Sequence, residues 1–351
     1  MEVDLIESGV YIMLIQKYLL NRALNPKPLL HLLLVEGPLR WNYAFPRRTQ
    51  IITENLERIP QDRAVILAMN HTNIYNYVPF LYQLFREYKA QPERGFPSFA
   101  FWAKAHFFHH PLAGKLLATA NVIPLPSRGY LLAHDFQDTF DRIPTHAEYR
   151  LLRDLIDRRI ELDPFLVQAN RDLVRFVTTP HGEFDPHIQS YYAFIERQYN
   201  RLMRLVTRTS EQALLKQRIN LLIFPEGGIS FRLRQGQVGL AQIALKTGAP
   251  IVPIGANGLD KLYPDLWPFS RGGQALYRVG QPLSVADELA PFAINQPFEP
   301  FSRAAQNKFG DRFRAATDLI MERINALLDP PYQFSPDAPP PERQGAERFV
   351  W

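Results

Sequence analysis

The chain has 351 residues, 46% of them hydrophobic, which is enough for a sizeable core and excludes wholesale disorder. It contains no cysteine, so disulfides, thiolate metal sites and a cysteine nucleophile are excluded. A formal net charge of +5 suits an anionic partner (a phospholipid surface, a phosphorylated substrate or nucleic acid) without choosing among them.

The opening Met1-Glu2-Val3-Asp4 is acidic rather than basic, and no signal peptide is expected. Val10 to Leu20 and Leu29 to Val35 are apolar apart from Gln16, Lys17 and His31. Each run is shorter than the roughly 20 residues that span a bilayer. With Asn21-Arg22 and Lys27-Pro28 between them, and Trp41 and Tyr43 after, residues 1–45 read as a helical hairpin lying in a membrane interface. The same pattern also fits two helices packed on a soluble core.

Residues 46–330 alternate short apolar runs with longer helical patterns. Ala64 to Met69, Ser98 to Trp102, Val122 to Leu125, Leu221 to Phe224, Ile251 to Ile254 and Ala275 to Val279 read as strands. Gly236 to Thr247 reads as a helix ended by Gly248, and Phe301 to Leu328 as an amphipathic helix. The expectation is an α/β domain with a mixed sheet flanked by helices. From about 130 to 215 the alternation gives way to charged and aromatic residues at helical spacing, expected to form a helical insert. Its Arg150, Arg153, Arg158 and Arg159 are interleaved with Glu148, Asp154, Asp157 and Glu161, a solvated face rather than a nucleic-acid stripe. Residues 331–351, rich in proline, read as an extended tail with no core of its own.

Two segments carry chemistry. Asn70-His71-Thr72-Asn73-Ile74-Tyr75-Asn76 directly follows a buried strand, the place where substrates meet α/β sheets. His71 titrates near neutrality and can take a proton there; Asn76, returning on a helical turn, is expected to hydrogen-bond one ring nitrogen. In Phe224-Pro225-Glu226-Gly227-Gly228 a strand stops at a proline and a carboxylate follows beside two glycines. Glu226 there either binds a substrate hydroxyl or supports the loop. His106, His109 and His110 have metal-like spacing but no carboxylate pair nearby, and are expected to be packing and loop residues; neither metal nor cofactor is expected.

Asn-His with four residues before position 76, then Phe-Pro-Glu-Gly, resembles the PlsC-type glycerophospholipid acyltransferases, the lysophosphatidate acyltransferase family. Phe101-Trp102-Ala103-Lys104-Ala105-His106-Phe107-Phe108 is similar to the family's segment between its first two motifs. Val122-Ile123-Pro124-Leu125 leading to Arg128 resembles its second motif, and Gly248 to Ile254 its fourth. The resemblance runs from about Ile51 to Pro330 apart from the insert. It implies that His71 takes the proton of an acceptor hydroxyl as that oxygen attacks the thioester of an acyl-CoA or acyl carrier protein. It implies also that Lys104 and Arg128 hold an acceptor phosphate, and that Glu226 and Gly227 lie against the acceptor. The partners implied are the thioester donor, a lipid acceptor and a membrane surface, with no nucleic acid and no cofactor. The location implied is cytoplasmic, peripheral and monotopic at the inner face of a membrane.

The pattern departs from the family in three places. The family's motif aspartate is Asn76, which can orient a histidine through its oxygen but supplies no charge for an imidazolium. Removing that charge from a serine-protease triad costs about 10⁴ in rate, although papain-like enzymes work with asparagine. Ile229 stands near where lysophosphatidate enzymes commonly carry arginine, and Arg128 lies one residue further along its motif, with Asn121 replacing a glycine. These changes admit another acceptor, such as a glycolipid, sterol-like or polyketide hydroxyl, or a lipid-binding relative without catalysis.

Overall fold

The computed structural model describes residues 10–20, 24–27, 33, 35–43, 49–92, 97–265, 267–335 and 345–346. A seven-stranded sheet organises the chain. Its strands are β1 (Thr49–Glu54), β2 (Ile66–Met69), β3 (Phe99–Lys104), β4 (Val122–Leu125), β5 (Asn220–Ile223), β6 (Ile251–Asn257) and β7 (Gly273–Val279). They lie in the order β1-β7-β6-β2-β5-β3-β4, and only the β6–β7 pair is antiparallel. The sheet is therefore mixed, as expected. β2 sits near its middle with all four residues fully buried, which explains its unbroken apolar run. β1 was not evident in the sequence. It is an edge strand with only two apolar residues, Ile51 and Ile52, flanked by polar ones, and it is recruited by pairing with β7.

Helices cover both faces. The elements of use below are α1 (Val10–Leu20), α2 (Tyr77–Ala90), α3 (Pro111–Thr119), α4 (Arg128–Phe140), α5 (Tyr191–Glu211), α6 (Gly239–Thr247) and α7 (Arg303–Asn325). Gly248 ends α6 at φ +69°, a left-handed residue that glycine takes without strain. Between β4 and β5 the chain is helical, from α4 through α5, and α5 packs on β4, α1 and α4. α1 buries Ile12, Ile15 and Leu19 against α4, α5 and β4. Of the two sequence readings of that segment, core packing describes its inner face. The second arm of the expected hairpin falls almost wholly outside the described residues. No helix among the described residues is long and apolar enough to cross a membrane.

The tail starts differently from expectation. Tyr332 is buried: its hydroxyl donates to Asp260 at 2.7 Å, its carbonyl accepts Leu233 N–H at 2.8 Å, and its ring packs on Phe231. Burial of one aromatic is enough to dock the first residues, and residues 336–344 and 347–351 lie outside the described set.

The end of α7 lies directly over β6. A Cβ on Gly255 would come within 2.5 Å of the Leu327 carbonyl oxygen, an oxygen that Arg278 Nη1 already binds at 3.0 Å. Gly255→Ala is therefore expected to destabilise the fold by about 1–3 kcal/mol, since backbone has to move. An unchanged melting temperature in that variant would mean that the segment over β6 yields freely.

Candidate active site

β2, β5 and β3 run parallel, so their C-terminal ends open on one side of the sheet. His71 follows β2 there, Phe224 and Glu226 follow β5, and Lys104 closes β3. The two sequence segments, 155 residues apart, meet through backbone groups of His71. Its N–H donates to Glu226 Oε1 at 2.8 Å, and its carbonyl accepts Ser230 N–H at 2.8 Å. Glu226 Oε2 accepts Arg234 N–H at 3.1 Å. Both carboxylate oxygens thus serve the loop, the supporting role left open by the sequence. Gly227 takes φ +69°, turning the chain between these contacts, with Gln237 against it. It contributes turn geometry here rather than a side chain.

Asn76 does not reach the His71 ring, which corrects the expectation that it fixes the tautomer. Its Oδ1 accepts Asn73 N–H at 2.6 Å and the Thr72 hydroxyl at 3.2 Å, and its Nδ2 donates to the Asn70 carbonyl at 3.1 Å. An amide alone meets both demands, an acceptor for an N–H and a donor for a C=O; a carboxylate has no donor to offer. The loop is tied further by Tyr277, whose hydroxyl donates to the Asn76 carbonyl at 2.6 Å, and by Asn70, whose amide exchanges two bonds with Ala256 of β6.

The His71 ring lies parallel to Phe224, with centroids 4.0 Å apart and planes 14° apart. Its Nδ1 is buried without a hydrogen-bond partner, while part of the residue remains exposed. Burial first, and then the charge of Lys104, lower the imidazole pKa to about 3; the Asn73 backbone opposes this weakly. The ring is therefore neutral, the form that accepts a proton. Burial raises Glu226 to about 7, against the bonds from the His71 and Arg234 peptides.

Lys104 is exposed at the end of β3, close enough to act on His71. Arg128 is committed elsewhere. Its Nε and Nη2 bind both oxygens of Glu196 at 2.8 and 2.9 Å, its guanidinium lies 3.9 Å from the centre of the Tyr199 ring, and Arg303 shares Glu196 at 2.9 Å. The fork of Arg128, expected to hold a phosphate, is here filled by a carboxylate from α5. Ser127 caps α4 by accepting Tyr130 N–H. His109 Nε2 meets the Tyr130 hydroxyl at 2.7 Å, and His110 caps α3. Among the described residues no group of acidic or histidine side chains has the arrangement of a metal site.

An acyltransferase family model matches residues 182–257, spanning the end of the insert, β5, the Glu226 loop and β6. It is that segment that is similar to the acyltransferase family. His71 lies outside that match but is bound by two residues inside it, Glu226 and Ser230. No curated protein matches the chain. Among solved structures it is similar to the 1-acyl-sn-glycerophosphate (LPA) acyltransferase PlsC from Thermotoga maritima. That similarity has 14% identity and a TM-score of 0.40, covering 90% of this chain and 91% of that one.

Phe224 and Ser230 were not picked out from the sequence as site residues. A β5 sequence ending in Phe-Pro gave a strand terminus, but ring stacking and a backbone clamp leave no signature in residue type. The raised pKa of Glu226 has a consequence for stability. Unfolding returns the carboxyl to about 4.3, so between that value and about pH 7 the folded state holds the extra proton. Stability should fall as pH rises across this window, and Glu226→Gln should flatten the fall. Denaturant titrations at several pH values check this; an identical slope in the variant would assign it to another group.

Proposed function

We propose that the chain transfers a fatty acyl group from an acyl thioester to the hydroxyl of a glycerophospholipid precursor, with His71 as general base. The observation that carries the reading is the clamp on His71, because it joins the acyltransferase segment to a neutral, partly exposed imidazole. The acceptor O–H gives its proton to the imidazole while its oxygen bonds to the thioester carbonyl carbon. The C–S bond then breaks, the imidazolium returns the proton to the departing sulfur, and an ester and a thiol result. Lys104, beside His71, suits an anionic group on either substrate. Acyl-CoA and acyl carrier protein both offer the required thioester.

Commitment of Arg128 to Glu196 favours a second reading of the acceptor: a lipid hydroxyl without a phosphate at that position, such as a glycolipid, a sterol-like alcohol or a polyketide. Thiol release from an acyl thioester, measured with phosphorylated and neutral acceptors, separates the two. His71→Ala is expected to abolish release with the accepted substrate while leaving the melting temperature near wild type. Wild-type turnover in the alanine variant would remove His71 as the base.

A membrane surface is the setting we propose, peripheral and at the cytoplasmic face. Three residues beyond Lys104 the surface turns apolar: Phe107 is exposed, and on α3 Leu112 and Leu116 are 73% and 56% exposed, with exposed Lys115 between them. Leucines four apart on one helical face with a flanking lysine suit a headgroup boundary. Leu112→Gln with Leu116→Gln is expected to weaken sedimentation with anionic vesicles by about tenfold or more, given the apolar area lost. The fold should be retained, because neither side chain packs in the core. Undiminished sedimentation would move the contact to another surface.

A further inference from the structure

A histidine base needs its ring held in one plane, and it needs its charge stabilised once it has taken the proton. A carboxylate hydrogen-bonded to the ring would do both. Here neither oxygen of a nearby carboxylate is available to the ring. The Asn76 amide is spent on Asn70, Thr72 and Asn73, and Glu226 is spent on the peptides of His71 and Arg234. The charge that acts on the ring is of the wrong sign: Lys104, at the end of β3, disfavours the imidazolium.

One group does meet the ring face to face. Phe224 lies parallel to the imidazole at 4.0 Å, and Tyr77 of α2 packs behind it at 6.4 Å. The Phe224 backbone is fixed as well, with its carbonyl accepting Gly227 N–H at 3.1 Å and the Pro225 carbonyl accepting Gln237 N–H at 2.7 Å. We propose that Phe224 is the positioning residue of the base, its ring fixing the plane of His71 and its π face stabilising the imidazolium. This rests on the reading of His71 given above. The physical basis is the negative face of the aromatic quadrupole, which attracts a cation held over it while leaving neutral imidazole in a stacked contact. The gain is thus larger in the transition state, where the proton is on the ring, than in the ground state.

The test is steady-state thiol release by wild type, Phe224→Leu, Phe224→Tyr and a variant carrying pentafluorophenylalanine at 224, which preserves ring shape and reverses the charge of its face. Phe224→Leu is expected to lower kcat by about 3- to 30-fold, with KM for donor and acceptor held within about twofold. Phe224→Tyr, which keeps the ring, should recover most of kcat; the fluorinated variant should lose as much as leucine. NMR titration of the His71 ring should show the imidazolium harder to form in the leucine and fluorinated variants than in wild type. Wild-type kcat in Phe224→Leu, or in the fluorinated variant should leucine fail to fold, overturns the proposal. So does a fluorinated variant with an unshifted imidazole titration. His71→Ala separates the two levels: an inactive alanine variant beside a fully active leucine variant defeats Phe224 alone, whereas an active alanine variant defeats the base itself.

Discussion

Glu226 holds a buried carboxylate against two peptide N–H groups, those of His71 and Arg234, and the geometry of the candidate site hangs on that contact. Burying a carboxylate is costly, as its pKa of about 7 records. The cost is tolerated because the two N–H groups would otherwise be partly enclosed without acceptors where chain leaves the strands. With Ser230 N–H on the His71 carbonyl, the peptide groups on both sides of the His71 Cα are fixed from the neighbouring strand's loop. This requires β2 and β5 to be adjacent and parallel, so that both chains exit at the same edge. The sheet order thus converts a separation of 155 residues into hydrogen-bond contact.

Position 76 shows how local hydrogen bonding decides what residue can stand there. Asn73 N–H needs an acceptor and the Asn70 carbonyl needs a donor, and the asparagine amide presents one of each. An aspartate would set a carboxylate against the Asn70 carbonyl with no donor between them, leaving that buried acceptor unpaired at about 1–3 kcal/mol. The loop gains rigidity from the amide, which faces away from the His71 ring. The ring, stacked on Phe224, is neutral through burial and the charge of Lys104.

The central strands were legible because burial on both faces forces continuous apolar runs, as in Ile66 to Met69 and Ile251 to Ile254. β1 was not legible, since an edge strand half open to solvent needs no such run. His71, Lys104 and Glu226 were legible as polar residues at strand ends, and the structure brings them to one edge of the sheet. What each side chain does there was less so. Glu226 turned out to serve the backbone, and Asn76 turned away from the ring, because both are governed by unpaired peptide groups that no residue letter records. The pairing of Arg128 was not legible for a different reason. Its partner Glu196 lies 68 residues away on a helix of the insert, and only the packing of α5 against α4 puts the two together.

That pairing has consequences beyond Arg128. Glu196 also binds Arg303 at the start of α7, so one carboxylate of the insert ties the beginnings of α4 and α7 together. The bonds are charge-assisted and partly shielded from water, and the guanidinium of Arg128 stacks on Tyr199 as well. An incoming phosphate would have to displace a carboxylate that already matches the arginine fork, and would leave Glu196 facing a new anion. Lys104 is exposed at the strand end, close enough to act on His71. An anion reaching Lys104 would do more than bind. By offsetting the positive charge that disfavours the imidazolium, it would raise the proton affinity of the His71 ring. On the proposed function, recognition of an anionic substrate and activation of His71 would then be one electrostatic event at the end of β3.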